Sequence, residues 1–247
     1  MKTFWYDSID STNTEAFRRL PDLPSLCVLA ARDQTAGRGQ RGNTWFTQPG
    51  KNLTFSIVVK FGEGSIPPLA AKDAPLLNYL ISNVLACFLD QEGVRSEIKW
   101  PNDIYVQRRK LSGVLIENTL SGENLQAAVI GVGLNVNQRE FPQLANATSL
   151  CRVLGRELSV EDSLDTICRL FEEELPSLFD PELRAGLFSV YSGRLFQKGI
   201  PAHYSDFLIG QEFTGVIEGV EADGRLCIKD SEGRRRFYRF KEVGYIL

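Results

Sequence analysis

The stretch Asp33–Phe46, DQTAGRGQRGNTWF, decides the fold, because Gly37, Gly39 and Gly42 in it are spaced as in the glycine turn of a dinucleotide-binding unit. In that unit the glycines let a pyrophosphate sit on the amino end of the next helix, and an acidic residue about 20 positions on holds the ribose. Here the helix is missing. Asn43-Thr44-Trp45-Phe46 leads through Pro49-Gly50 into NLTFSIVVKF, residues 52–61, whose β-branched and aromatic residues read as a strand. The segment before the loop, SLCVLAARDQ, is a compact apolar run that reads as a buried strand ending near Arg32. The loop therefore joins strand to strand, and the dinucleotide reading fails on its context. What remains is a glycine loop carrying Arg38 and Arg41, whose planar guanidinium forks suit carboxylate or phosphate oxygens. The alternative is an exposed turn with solvated charges, in which Trp45 and Phe46 serve as packing residues.

Outward from this loop, Thr12-Asn13-Thr14-Glu15 fits a capping box opening a helix that runs to about Leu20, before Pro21. Between about residues 70 and 92, Leu76, Leu77, Leu80, Ile81, Val84, Leu85, Phe88 and Leu89 recur at helical spacing and should cover one sheet face. RSEIKW, DIYVQ, LSGVLIENTL and NLQAAVIGVGLNVN then read as successive strands. The turns between them are short, which implies antiparallel neighbours. A second capping box, Ser159 to Asp162, opens a helix carrying Leu164, Ile167, Cys168, Phe171 and Leu175, and another helix runs from Pro181 to about Tyr191. Beyond residues 191–200 the period changes to two, in EFTGVIEGV, GRLCIKD and RRFYRFKEVGYIL, so the chain divides into residues 1–195 and a small β-rich unit, 196–247.

Composition narrows the function. The chain has 247 residues, 43% hydrophobic and 24% charged, with a net charge of −3, so no global field draws it onto nucleic acid or anionic lipid. Anion binding has to be local. The five cysteines, Cys27, Cys87, Cys151, Cys168 and Cys227, are scattered, and the one histidine is His203, which excludes a structural zinc site and leaves Ser-His or Cys-His catalysis little to recruit. Met1–Asp10 lacks the apolar core of a signal peptide and no run of about 18 apolar residues could span a membrane, so the expected location is cytoplasmic.

Four further segments carry chemistry. Lys99-Trp100-Pro101-Asn102-Asp103 reads as turn punctuation, or as a cation, an amide and a carboxylate gathered at a strand end to hold nucleotide phosphates and a magnesium ion. Lys110 lies in a turn, and Gly113 begins an apolar strand. In GVGLNVN, Gly131, Gly133, Asn135 and Asn137 alternate along one strand, so small residues and amides share a face that could admit a planar ring. Arg234–Arg239, RRRFYR, interleaves basic and aromatic residues as a single-strand binder would, or simply alternates on a solvated strand.

Taken in order, Ser11-Thr12-Asn13, Gly37 to Gly42, Lys99 to Asp103, Lys110 to Gly113 and Gly131 to Asn137 resemble the biotin protein ligases, and the β-rich tail resembles their small SH3-like β-barrel C-terminal domain. The resemblance implies an α+β fold, a mixed, largely antiparallel sheet flanked by helices, similar to class II synthetases. It implies an enzyme that joins biotin to ATP, with Mg2+ as the accompanying ion and no tightly bound structural metal, and transfers the biotinyl group to a lysine of a biotin carboxyl carrier domain. By position, Ser11, Thr12, Asn13, Gln34, Gly37, Arg38, Gly39, Gln40, Lys110, Gly113 and Leu115 would bind biotin. Arg38, Arg41, Trp45, Lys99, Asn102, Asp103, Lys110 and Asn135 would bind ATP and the adenylate, with Arg38, Lys110 and Asp103 catalytic. The family loop commonly reads Gly-Arg-Gly-Arg-Arg-Gly, and Gln40 replaces its second arginine, which bears on adenylate retention. Family members that repress transcription carry a winged-helix domain ahead of the Ser-Thr-Asn motif, and this chain starts almost at that motif. Specific DNA binding is therefore not expected, and the expected state is a monomer or weak homodimer. Two rival readings are a lipoate ligase on the same fold and a non-catalytic single-strand-binding module.

Overall fold

The computed structural model describes residues 1–142, 144, 146–221 and 223–246, with Arg41 described in its backbone alone. In chain order the larger part contains β1 (Lys2–Tyr6), α1 (Thr12–Arg18), β2 (Leu26–Ala31), β3 (Leu53–Lys60), β4 (Leu69–Ala70), α2 (Pro75–Gln91), β5 (Glu97–Lys99), β6 (Asp103–Val106), β7 (Arg109–Ser121) and β8 (Asn124–Leu134). It closes with α3 (Leu150–Leu154), α4 (Val160–Glu174) and α5 (Pro181–Gly193). The strands form one sheet in the order β1-β2-β3-β8-β7-β6-β5, with β4 pairing on β8. β1 runs parallel to β2 and the remaining pairs are antiparallel. The sheet is mixed and largely antiparallel, as the short turns predict. Nothing in the periodicity marks β1, whose side chains are only partly covered at the sheet edge.

Strand parity separates core from site. Phe55, Ile57 and Val59 of β3 and Ile130, Val132 and Leu134 of β8 face a main core completed by Leu77, Leu80, Ile81, Val84 and Phe88 of α2 and by Leu164, Ile167 and Phe171 of α4. Residues of the other parity face the opposite side, where α1 covers only part of the sheet, packing Ala16 with Cys27, Leu29, Val58 and Val129. On that side the register sets Ser56, Gly131 and Leu115 in one row and Thr54, Gly133 and Gly113 in the next. These small residues leave the face low, so it can be built over without being filled.

The helix starts show where local signals hold. Ser159 Oγ accepts from the Asp162 backbone N–H at 3.1 Å, the bond that the second capping box predicts. The first box does not form. The residue preceding α1 is Ser11, no side chain caps the helix, and the Thr12 hydroxyl bonds to Gln34 Oε1 at 3.2 Å. Thr12 is diverted because the amide of Gln34 and the Ser56 hydroxyl stand beside it.

The C-terminal unit holds β9 (Pro201–Asp206), β10 (Gln211–Val220), β11 (Leu226–Asp230), β12 (Arg235–Tyr238) and β13 (Val243–Ile246), an antiparallel sheet in the order β12-β11-β10-β9-β13. β12 and β13 lie at opposite ends of that path, so the sheet is open and does not close into the barrel that the resemblance implies. The Arg234–Arg239 run is not a bare cationic strip. Arg234 and Arg236 both reach Asp230, and Arg235 reaches Glu218 at 2.7 Å, which leaves little charge for phosphates and disfavours the single-strand-binding reading. The two units are joined where Trp100 Nε1 donates to the Gly224 carbonyl at 3.1 Å.

Candidate functional site

The glycine loop folds back on itself. Trp45 N–H donates to the Gly37 carbonyl at 2.9 Å, Gly39 N–H donates to the Asn43 carbonyl at 2.7 Å, and Gln40–Gly42 make one 3-10 turn between them. No helix N-terminus is present to cradle a phosphate. A side chain at Gly37 would strike the Trp45 carbonyl, so this glycine exists to let the hairpin close. The loop lies over the low face of the sheet and encloses a cavity of about 430 Å³.

Most of the residues singled out from the sequence meet in that cavity: Ser11, Thr12, Asn13, Gln34, Arg38, Gly39, Gln40, Trp45, Lys99, Asn102, Asp103, Lys110, Gly113 and Leu115 all line it. Gly37 is not among the lining residues and borders a separate small pocket with Ala36 and Gly42. Asn135 does not line the cavity; β8 ends at Leu134, and the Asn135 amide donates to the Thr148 carbonyl at 3.0 Å. Asn137 likewise clamps the backbone of Leu158. The expected alternation of glycines and amides on one strand thus stops at Gly133. The Arg41 side chain lies outside the described residues.

At one end of the cavity neutral polar groups cluster, with the Arg38–Glu117 ion pair beside Asn13. Asn13, Thr12 and Ser11 are buried, and Ser56 Oγ stands 2.7 Å from Thr12 Oγ1 and 2.6 Å from Asn13 Oδ1, while the Thr12 backbone N–H donates to Gln34 Oε1 at 2.8 Å. Such a set offers donors and acceptors fixed by one another. Asn13 lies flat on β8 because residue 131 is glycine: a Cβ there would sit 2.9 Å from Asn13 Cγ. The other end is cationic and aromatic. Trp45 lies on Gly133 in the same way, with its indole Nε1 buried and unpartnered, and Lys110 Nζ stands 5.7 Å from the centre of its ring. The ring that the glycine face admits is therefore the protein's own, whereas Phe46, a packing candidate, is 58% exposed.

Two of the cations, Lys110 and Arg38, are paired with carboxylates at rest. Lys110 Nζ pairs with Asp103 Oδ1 at 2.8 Å across the β6–β7 pair. Arg38 forms a two-pronged pair with Glu117, at 2.7 and 3.1 Å, and Glu117 Oε2 also accepts from Asn13 Nδ2 at 2.9 Å. Lys99 lies between the rings of Tyr105 and Tyr245, 5.2 and 5.0 Å from their centres. Burial pulls its pKa below the ordinary 10.5, the Asp103 charge opposes this and Lys110 adds to it. Burial also pushes Tyr105 up to about 12. Asn102 holds the turn in place by donating to the Val114 carbonyl.

Sequence reading passes over Glu117 and Ser56, which hold Asn13, and a wall supplied by the C-terminal unit, Phe207, Phe240, Lys241, Val243, Gly244 and Tyr245. Glu117 was reachable: period two places it on the face of Gly113 and Leu115. The C-terminal wall has no local signal, because only the docking of the two units brings it to the cavity.

A sheet face closed by an arginine-bearing hairpin, with buried amides and hydroxyls at one end and lysines and a tryptophan at the other, is a cavity with the donors to hold an anion. Residues 5–135 match the model of the biotin/lipoate A/B protein ligase family, and residues 207–240 match the biotin protein ligase C terminal domain. The chain belongs to the biotin/lipoate A/B protein ligase family. It is 30% identical over 223 residues to the bifunctional ligase/repressor BirA of Escherichia coli (strain K12), covering 90% of this chain and 67% of that protein. It is 28% identical over 235 residues to a biotin–[acetyl-CoA-carboxylase] ligase of Paracoccus denitrificans, covering 92% of this chain and 93% of that one. A biotin protein ligase from Aquifex aeolicus, solved in complex with biotin and ATP, superposes with a TM-score of 0.77 at 26% identity over 98% of this chain and 97% of that one.

Proposed function

We propose that this chain is a biotin protein ligase, which activates biotin with ATP as biotinyl-5'-AMP and passes the biotinyl group to a lysine of a carboxyl carrier domain. The observation that carries the reading is the polarity of one cavity, neutral amides and hydroxyls at the Asn13 end and Lys110, Lys99 and Trp45 at the other. The Ser11, Thr12, Asn13 and Gln34 end suits a ureido ring, which offers N–H donors and a carbonyl acceptor. A dithiolane offers neither, so the same end argues against lipoate. Gly39, Gln40, Gly113 and Leu115 also line the cavity, Leu115 beside Asn13 and Gly113 beside Lys110 and Trp45, and an alkyl chain would run along them.

Bringing a carboxylate against an α-phosphate costs about 4 kcal/mol for unit charges 4 Å apart at an effective dielectric near 20. Arg38 and Lys110 relieve this repulsion by changing partners. At rest each cation holds a carboxylate of the protein, and the ligand anions take the places of Glu117 and Asp103. A biotin carboxylate oxygen then attacks the α-phosphorus and pyrophosphate departs. Lys99 and Trp45 hold the nucleotide in line, a contribution of roughly 7 kcal/mol where two reactants are fixed in a near-attack geometry. In the second step the acceptor amine attacks the biotinyl carbonyl, AMP leaves, and Asp103, released from Lys110, is placed to take the amine proton.

Among the described residues no three carboxylate, thiolate or imidazole groups gather. Magnesium fits as an ion carried in on the phosphates of ATP, with Asp103 the acidic group that the nucleotide end offers. It would offset charge on the departing pyrophosphate. The five cysteines are free, in keeping with a cytoplasmic setting. The test is transfer: incubating the chain with ATP, biotin and a carrier domain should add one biotinyl mass to a single lysine, and lipoate should not compete. Modification by lipoate in preference to biotin would refute the assignment.

A further inference from the structure

The turn between β12 and β13 contains a backbone conformation that its residue does not favour. Lys241 has φ 78°, in the left-handed region that glycine enters freely and a residue with a Cβ enters at a cost. Gln107, Arg108 and Gln197 share a positive φ, yet of these four residues Lys241 alone lines the cavity. Strain kept at a site is a reason to ask what the side chain does there.

The wall that carries Lys241 stands at the nucleotide end. Tyr245, four residues further on, is stacked by Lys99 at 5.0 Å, and Gly244 and Phe207 complete the surface between them. The Lys241 ammonium is exposed and lies 5.9 Å from the Phe240 ring. Among the described residues the other cations lining the cavity have partners at rest: Arg38 has Glu117, Lys110 has Asp103, and Lys99 has two aromatic faces. Among the described residues Lys241 forms no ion pair with a carboxylate. A nucleoside triphosphate brings a cluster of negative charge beyond its α-phosphate, and Arg38 and Lys110 are placed for the α-phosphate and the carboxylate. A cation on the C-terminal wall would share with magnesium the charge of the remaining phosphates.

We propose that Lys241 binds the β- and γ-phosphates of ATP and the pyrophosphate that leaves, and that its left-handed backbone is retained because this turn is where a lysine reaches them. The proposal rests on the reading that this cavity takes ATP. It makes the C-terminal unit part of the nucleotide site through a charged contact, and it places that contact on one residue.

Lys241→Gly separates function from strain, since glycine suits φ 78° and the variant folds at least as well as the parent. The full chain is assayed by biotin-dependent pyrophosphate exchange and by calorimetric titration with ATP alone. The expected result is a melting temperature higher by about 2 °C together with a KM for ATP about tenfold higher, worth about 1.4 kcal/mol. The Kd for ATP should rise in parallel, the KM for biotin should stay within about twofold, and Lys241→Arg should stay near the parent for both substrates. An unchanged KM and Kd for ATP in Lys241→Gly overturns the proposal, as does an equal rise for biotin, which would mean a deformed cavity. A parent chain that shows no biotin-dependent exchange would sink the ligase reading instead, and the ATP titration would still decide whether Lys241 holds phosphate.

Discussion

Two glycines of β8, one row apart on the same face, should fail in different ways. Alanine at Gly133 would set its methyl 2.5 Å from Trp45 Nε1 and 2.7 Å from Cδ2, inside the 3.0 Å that Cβ atoms essentially never breach. The indole, held by the hairpin through Gly37, would have to retreat by about 1 Å, and overpacking of this kind costs roughly 1–3 kcal/mol. Alanine at Gly131 meets a different group, the Asn13 amide, at 2.9 Å from Cγ and 3.1 Å from Nδ2. If Trp45 serves the nucleotide and Asn13 serves biotin, each variant should lose about 5- to 150-fold in affinity for one substrate and little for the other. Pyrophosphate exchange with each substrate varied in turn reads both constants, and a thermal melt of each variant checks that the sheet has survived. Equal loss for both substrates in either variant would refute the division of the cavity into two ends.

Other expectations follow from the ion pairs. Lys110→Ala should abolish formation of the adenylate, read as loss of exchange by at least about 100-fold, since no second cation replaces it at the carboxylate; near-normal exchange would remove Lys110 from the chemistry. Arg38→Ala should instead let the adenylate escape, so that biotinyl-5'-AMP accumulates in free solution while exchange continues; intact retention on the enzyme would contradict the role given to the hairpin. Glu117→Gln keeps the size of the side chain and removes the charge that holds Arg38, so backbone amides of residues 37–45 should exchange faster in the ligand-free chain and recover once the adenylate is bound; unaltered exchange in the free chain would count against the pairing. Lys99 gives a pH effect. Its folded pKa lies below the ordinary 10.5, so the folded chain loses this proton before the unfolded chain does, and stability from this group rises with pH in the window beneath 10.5. ATP affinity falls through the same window as the ammonium discharges, and Lys99→Gln should flatten both trends; parent-like trends in that variant would assign them to another group.

Much of this architecture is legible in the chain because its signals are local. The glycine loop could be rejected as a dinucleotide cradle on sequence context, since a strand follows it, and the hairpin found there has no helix behind it. The Ser159 box and the apolar period of α2 hold for the same reason: neighbouring residues alone satisfy them. Errors arise where a distant group competes. Thr12 fits a cap by spacing, yet Ser56 and Gln34, far off in the chain, take its hydroxyl. Asn135 continues an alternation on paper, but the strand ends before it and Thr148 takes its amide. β9, which bonds to both β10 and β13, begins at a proline and mixes polar with aromatic residues, so no clear period marks it. Glu117 and Lys241 look like ordinary surface charges until tertiary structure brings one under Arg38 and the other to the cavity wall.

The central claim is that the paired cations let two acids meet in one cavity. Exchange of labelled pyrophosphate into ATP, measured with and without biotin, tests it most directly. The account predicts that biotin switches exchange on and that Lys110→Ala switches it off. Exchange that proceeds equally well without biotin, or that biotin fails to start, would contradict it.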